Sequence, residues 1–460
     1  MQRSLSGYYT FSCAARHLSF TKASKELFVT QGAVSQQIKH LEEDLGFKLF
    51  VRKTRRLELT KEGAKLAETL QYSFRSIEST IEEIINTKSL PVHDKAVFSS
   101  HNLELNREWT NNAIRTIEAD STRSADTNLI KVHLKAFPGI DLYFKDESTH
   151  PTGSFKHRLA RSLFMNALCH GWIQKGTTII EASHGSTAVA EAYFAQLLGL
   201  PFISVLPSNI SQNKIDHIKF YGGKCHLVED YSQIREVAQQ LVETHDALFM
   251  DQHVYAARAV GWRGRQNIAE SIYHQMRSER FPDPKWIVVG AGTGGTSALI
   301  GRYNRFHLKK TRLCAVDPEN SVYFKYYQTG DINLVSHIGS KVEGIGALKV
   351  EPSFIPGAID RMMNIPDAAT YASLQYLEEL LGRKCGGSTG TNFYGVIQLI
   401  REMAEKREEG SIVTLIADSG ESYLDTYYNP DWLNANNYPV AKYLDQISQF
   451  CTHGNWRNSL

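Results

Sequence analysis

Over the first sixty residues the apolar positions repeat at helical spacing. Leu27, Val34, Ile38 and Leu41 form one stripe, and the segments Phe20 to Leu27 and Gln31 to Leu45 are separated by the short turn Phe28-Val29-Thr30. The pattern predicts a helix-turn-helix, with Ala23 small where two helices cross closely and Thr30 as N-cap of the second helix. From Lys61 the period lengthens. Ala67, Leu70, Phe74, Ile77, Ile81 and Ile84 alternate steps of three and four, the spacing of an a/d seam, which predicts one long helix over 61–87 seeking a partner helix or a face of its own chain. Thr87-Lys88-Ser89-Leu90-Pro91-Val92-His93 breaks that period, and 88–104 is expected to be a flexible linker. Beyond it, short apolar runs alternate with helical segments: Ile140 to Phe144, Thr178 to Ile180, Phe202 to Leu206, Cys225 to Val228, Ala247 to Met250, Trp286 to Val289, Leu313 to Val316 and Ile412 to Ile416. Such alternation predicts α/β layers around parallel sheet over 105–460.

Charge changes the picture mainly at the N-terminus. The 460-residue chain carries a formal charge of only +2, yet up to Lys65 basic residues outnumber acidic ones roughly two to one. That asymmetry suits a nucleic-acid module within 1–60. Gln31, Ser35, Gln36 and Lys39 sit at the exposed start of the second helix, where amides and hydroxyls can read base edges and lysine can meet phosphate. Lys48 to Thr60 forms a basic hairpin that would lie beside that helix as a wing, with Arg52 and Arg55 toward phosphates. A hydrophobic content of 42% is enough for several cores, no run is long enough to span a membrane, and the first residues lack the pattern of a signal peptide. The six cysteines have no C-x-x-C spacing, so neither a metal site nor a disulfide framework is expected. A soluble, cytoplasmic protein is the expectation.

The chemistry concentrates in four loops. Pro151-Thr152-Gly153-Ser154-Phe155-Lys156 presents a lysine on a Gly-Ser turn just after an apolar run. Enclosure would strip the ammonium of its proton and leave a nucleophile toward aldehydes, pyridoxal phosphate among them, whereas an exposed lysine on a turn would do nothing of the kind. Gly290-Ala291-Gly292-Thr293-Gly294-Gly295-Thr296 lies between a strand and a helix, a phosphate-binding arrangement. The same residues fit G-x-G-x-x-G, with Asp317 at a strand end downstream, so a dinucleotide cofactor competes. Glu181 to Ala188 is a polar turn at a helix start, offering donors to an amino acid carboxylate, and Cys385 to Thr391 brings Ser388 to another helix start, either as a cap or as part of a site.

With these four loops in order, the region from about Trp109 onward resembles the cysteine synthase superfamily, the fold type II pyridoxal phosphate enzymes. Within it, Lys145 to His150, Lys156 to Arg161, Asp317 to Ser321 and Ala417 to Gly420 look like the L-cysteine desulfhydrases. The N-terminal segment, including Leu45 to Phe50 and Leu59 to Gly63, resembles the winged helix-turn-helix of LysR-type transcriptional regulators. The resemblances imply a multidomain chain: an all-α winged helix-turn-helix with a long linker helix, followed by an α/β fold type II enzyme of two α/β subdomains. They imply that Lys156 binds pyridoxal 5'-phosphate and acts in catalysis, that Gly292, Thr293, Gly294, Gly295 and Thr296 take its phosphate, that Ser388 faces its pyridine nitrogen, and that Ser186 stands where many members carry an asparagine touching the ring oxygen. Ser183, His184 and Thr187 would bind the substrate carboxylate, with Gly344 in a second substrate loop.

The implied reaction is β-elimination of L-cysteine to hydrogen sulfide, pyruvate and ammonia, which a serine beside the pyridine nitrogen suits because elimination demands less carbanion stabilisation than transamination. Two alternatives stay open: a synthase in which a thiol attacks the retained fragment, and a transcription factor whose enzyme-like region senses an amino acid with little turnover. His184 departs from the small hydroxyl residue expected, and Val254, Ala257 and Gly261 make the stretch 251–263 less polar than usual, which puts substrate choice in doubt. DNA and a partner copy, in a homodimer or higher homo-oligomer, are implied by the LysR-type segment, whose linker helix dimerises in that family.

Overall fold

The computed structural model describes residues 5–27, 29–53, 56–67, 69–70, 100–183, 185–208, 210–230, 233–245, 247–264 and 266–456. His184, Arg55 and the seam positions Phe74, Ile77, Ile81 and Ile84 therefore lie outside the described residues, as does most of the expected linker. The chain divides into two units, 1–97 and 98–460.

In the first unit the helices Leu5–His17, Phe20–Glu26 and Gln31–Leu45 precede a hairpin of β1 (Phe50–Lys53) and β2 (Arg56–Leu59). The Thr30 hydroxyl accepts the Ala33 N–H at 3.2 Å, and Gly46, at φ +78°, ends the third helix in a left-handed turn that favours glycine. Phe11, Ala23, Val34, Ile38, Leu41 and Leu49 form the core. Ala67 and Leu70, two positions of the expected seam, are partly buried and pack against this core at the start of the next helix. The half-turn nearest the winged domain is thus used to fasten the linker helix to its own unit. Glu42 is buried at the end of the third helix and accepts from the N–H groups of Leu49 (2.8 Å) and Phe50 (3.2 Å) and from Lys48 Nζ (2.8 Å), tying that helix to the base of the wing.

The second unit opens on the helix Ser100–Arg123, which takes in residues 100–104 of the expected linker. The polar character of that stretch had hidden its helical period. Ten strands follow: β3 (Asn128–Val132), β4 (Ile140–Asp146), β5 (Thr178–Ala182), β6 (Phe202–Pro207), β7 (Lys224–Val228), β8 (Ala247–Phe249), β9 (Trp286–Gly290), β10 (Arg312–Pro318), β11 (Arg361–Ile365) and β12 (Gly410–Ile416). They make a six-stranded sheet in the order β11-β10-β9-β12-β4-β3 and a four-stranded sheet in the order β7-β6-β5-β8. Every pair is parallel except β3 with β4, so helical crossovers cover the faces and the central strands are apolar on both sides. The two-residue period of β9 shows this directly. Ile287 and Val289 enter a core shared with Ile179, Phe194 and Phe202 of the four-stranded sheet and its helices, whereas Val288 enters a second core with Leu142, Val316, Ile397 and Ile412. The shared core joins the two sheets. Three of the four loops carrying the candidate chemistry follow strand ends, the place where an open α/β sheet holds its ligands, and the fourth, Cys385 to Thr391, leads from the helix Asp367–Leu381 into the helix Gly387–Glu405.

Candidate active site

Lys156 begins the helix Lys156–Cys169. The turn before it is left-handed at Gly153 (φ +71°), Phe155 N–H donates to Ala417 O at 2.8 Å, and Ser154 bridges to Asp418, so the lysine is fastened to the residues just after β12. Its side chain is buried, and desolvation pushes the amine down to about 8 against the opposing pull of the Asp418 and Glu181 carboxylates. An amine in that condition sheds its proton readily and is nucleophilic. Asp418 is itself pushed up to about 6 by burial and accepts the Tyr423 hydroxyl at 2.7 Å. The next loop rests on this carboxylate: a Cβ on Gly386 would stand 1.8 Å from Asp418 Oδ1, so no side chain fits there. Gly386 is the N-cap of the helix Gly387–Glu405, which places the buried Ser388 within the first turn rather than at the capping position.

The glycine loop is held equally close. After β9 the chain enters the helix Gly295–Phe306 through Gly294, at φ +85°, with no side-chain cap. The first-turn N–H groups are therefore left for an anion, and the helix dipole favours one. A Cβ on Gly292 would lie 2.5 Å from Gly344 O, and one on Gly294 would lie 2.6 Å from both Phe354 Cα and Ser353 O. Lys156 and Gly292 to Thr296 line one cavity of about 380 Å³, large enough for a small cofactor and continuing past Arg158, Arg161 and Met165 to Val260 and Gly261. A buried lysine and an uncapped glycine-lined helix start on one cavity are the donor set that an aldehyde bearing a phosphate requires. The dinucleotide alternative fits less well. Asp317 is fully buried, accepts the Phe324 N–H at 2.8 Å and has no face open to a ribose.

Ser183, Ser186, Thr187, Gly344 and Ser388 do not line that cavity. Ser183, Thr187 and Gly344 have contacts that lead toward it. Ser183 Oγ accepts from Gly185 N–H at 3.2 Å, and Gly185, at φ +131°, lies against the Lys214 stem, where a Cβ would stand 2.4 Å from Cδ. Lys214 pairs with Glu343, the neighbour of Gly344, which in turn touches Gly292. Thr187 is buried and its hydroxyl donates to Gln252 Oε1 at 2.7 Å, so its side chain serves the turn's position and its main chain faces the helix start. Lys214 was not singled out in the sequence, and Arg158 and Gln252 entered only within the stretches Lys156 to Arg161 and 251–263 with no role of their own, since a polar residue among polar neighbours gives no sign of the partner it meets.

In the first unit, Gln31, Gln36 and Lys39 are exposed and Ser35 is half-buried on the third helix, opposite the buried Val34, Ile38 and Leu41. Gln31 accepts from Thr21 Oγ1 at 3.2 Å and Lys39 lies 3.7 Å from Glu43, a contact weak enough to yield to a phosphate. Arg52 stands on β1 opposite Leu57.

Comparison with known proteins agrees with this geometry. Residues 121–418 match the family described as pyridoxal-phosphate dependent enzyme, and residues 5–64 match the bacterial regulatory helix-turn-helix proteins of the lysR family. The chain is 52% identical over 356 residues to L-cysteine desulfhydrase Cds1 of Mycobacterium tuberculosis, which covers 76% of this chain and 97% of that one. It is 29% identical over 296 residues to a cysteine synthase of Aquifex aeolicus, covering 62% and 83%. The crystal structure of an O-acetylserine dependent cystathionine beta-synthase from Helicobacter pylori matches with a TM-score of 0.58 at 25% identity, over 66% of this chain and 96% of the other. The chain is a homologue of cysteine desulfhydrase and belongs to the pyridoxal-phosphate dependent enzymes, with a LysR-type helix-turn-helix domain at its N-terminus.

Proposed function

We propose that this protein is a pyridoxal phosphate-dependent L-cysteine desulfhydrase fused to a DNA-binding regulator. The observation that carries the reading is the likeness to a desulfhydrase along almost that protein's whole length, together with a buried lysine poised beside the glycine loop. Lys156, Ser186, Gly292 to Thr296 and Ser388 would hold the cofactor, which when bound supplies an electron sink for the substrate α-carbon. Ser183, His184, Thr187 and Gly344 receive the substrate carboxylate at the start of the helix Ser186–Leu197. The Lys156 amine, once neutral, takes the α-proton, and hydrosulfide leaves the β-carbon. With one water the reaction balances as L-cysteine going to hydrogen sulfide, pyruvate and ammonia. The test is purified full-length protein with L-cysteine, which should release sulfide and pyruvate in equal amounts. A yellow protein without turnover would favour the sensing alternative, and consumption of an added thiol would favour the synthase.

The glycine loop offers its own check. Gly294→Ala forces a side chain into left-handed backbone against the main chain of Ser353 and Phe354. It should raise the dissociation constant for pyridoxal phosphate about tenfold or more, measured by absorbance titration. Gly330→Ala, also left-handed but with open space around it, is the control and should leave cofactor binding unchanged.

The LysR-type domain binds DNA, and its presence on the same chain supports the second reading, in which amino acid binding biases one arrangement of a DNA-bound homodimer over another. In this proposal 1–60 docks on DNA, 61–87 pairs two copies, 88–99 links, and 100–460 carries the chemistry in the cytoplasm. No helix among the described residues is long and apolar enough to cross a membrane. Thr30, Gln31, Ser35 and Gln36 face the major groove, with Lys39, Arg52 and Arg55 on phosphates. Lys39→Ala or Arg52→Ala should weaken DNA binding and lower the salt slope by about one, read from binding isotherms at several salt concentrations.

A further inference from the structure

Two glutamates beneath the substrate turn take no part in the chemistry described so far. Glu181, on β5, and Glu191, within the helix Ser186–Leu197, are both fully buried. Ionised carboxylates only accept hydrogen bonds, so each buried oxygen needs a donor. Glu181 Oε2 has one, the Gln252 N–H at 3.2 Å, whereas Glu181 Oε1 and both oxygens of Glu191 have no partner among the described residues. The two carboxyls stand within hydrogen-bonding reach of each other. Two adjacent negative charges in apolar packing are heavily penalised, and one proton between them removes a charge and supplies the missing donor.

The surroundings leave that proton as the available remedy. Asp251 faces the pair and adds negative charge, while Arg235 is engaged by Asp251 (2.5 Å) and Glu351 (3.2 Å). His253 lies 4.0 Å from Glu351, and Lys156 faces Glu181 from the site. Among the described residues no group of three or more His, Cys, Asp or Glu side chains is arranged to hold a metal ion. Burial pushes Glu181 up to about 8 and Glu191 well above the usual carboxylate range.

The pair sits at a junction. Glu181 anchors the Gln252 main chain, Gln252 Oε1 accepts from Thr187 in the substrate turn, and the His253 carbonyl accepts from Ser353 N–H, whose own carbonyl backs Gly294. We propose that Glu181 and Glu191 are positioning residues that share a single proton, and that this pair fixes the substrate turn through Gln252 and Thr187. The inference deepens the desulfhydrase reading, and its activity arm rests on that reading. Losing the proton would drive the carboxylates apart, displace Gln252 and loosen the turn.

Infrared spectra of the full-length holoprotein at pH 8 test the shared proton directly. Asp418, Asp317 and Asp367, pushed up only to about 6 or 7, are largely ionised there. A protonated-carboxyl stretch should be present in the wild type and absent in Glu191→Gln, whose amide still donates to Glu181 and preserves the fold. The KM for L-cysteine in Glu191→Gln should stay within about twofold of wild type near neutrality, and should not share the wild-type rise, about fivefold, between pH 8 and 10. Substrate ionisation is common to both proteins. Glu191→Leu, unable to donate, should show raised KM throughout with a smaller effect on kcat. An unchanged stretch in Glu191→Gln, or superimposable KM profiles, overturns the proposal. A wild type that retains the stretch but never turns over L-cysteine sinks the desulfhydrase reading while the infrared comparison still decides the pair.

Discussion

Lys156→Ala should release sulfide and pyruvate from L-cysteine at least about a thousandfold more slowly than the wild type, because it removes the amine to which the proposed proton transfer is assigned. The glycine loop is untouched, so the variant should still take up pyridoxal phosphate, weakly and without a covalent link. Folding should not suffer. Burial lowers the amine from 10.5 to about 8, so between those values the unfolded chain holds more protons than the folded one. The cofactor-free wild type must therefore gain stability as pH rises through that window, and the alanine variant must lack that gain. Denaturant titrations at pH 7.5 and 10.5 read this, and coupled sulfide and pyruvate assays read the activity. Wild-type rates in the variant would remove Lys156 from the proposed mechanism.

Arg158→Met should cost about 3–5 kcal/mol of stability at neutral pH, the size typical of breaking a buried ion pair from one side. Arg158 grips Glu147 through Nε (2.6 Å) and Nη2 (3.0 Å), and the same Nη2 reaches Asp126 at 2.9 Å. Glu147 is fully buried; burial alone would raise its pKa, but the Arg158 guanidinium and His150 hold it far below the usual carboxylate range. Its stabilising contribution is complete above the ordinary carboxylate pKa and is lost progressively in the wild type as pH falls from there to the depressed value. Without Arg158, burial would instead raise that value and the variant would take up a proton on folding. The gap between the two proteins should therefore be widest near neutrality and narrow toward pH 5, followed by urea unfolding. Arg158→Met combined with Glu147→Gln should recover much of the loss. A single variant as stable as wild type would show that the grip contributes little.

The elements easiest to read in the sequence were those whose pattern matched a single physical period. β9 and β12 are continuous apolar runs because both faces are covered, and Thr30 announces a helix start because its hydroxyl can meet an orphan N–H. β3 escaped notice because it is an edge strand whose apolar residues are interrupted by Lys131 and preceded by Asn128, and β11 because Arg361 and Asn364 interrupt its apolar residues. Lys156 and the glycine loop were legible from turn chemistry, since few other uses explain that many glycines before a helix. What the loops rest on was not. Whether Glu191 in an apolar helix meets water or Glu181, and whether Asp317 serves a ribose or a backbone N–H, depends on which elements the fold brings together.

The turn bearing Ser183 grows from the smaller sheet, whereas Ala417 and Asp418, which fasten Lys156, trail from the larger one. On the proposed roles, an amino acid held at the first and deprotonated by Lys156 would be a clasp across the seam of two slabs. A slight twist of one slab on the other would therefore lengthen the reach from base to α-carbon before any contact inside either was disturbed, making their mutual angle a natural throttle on turnover.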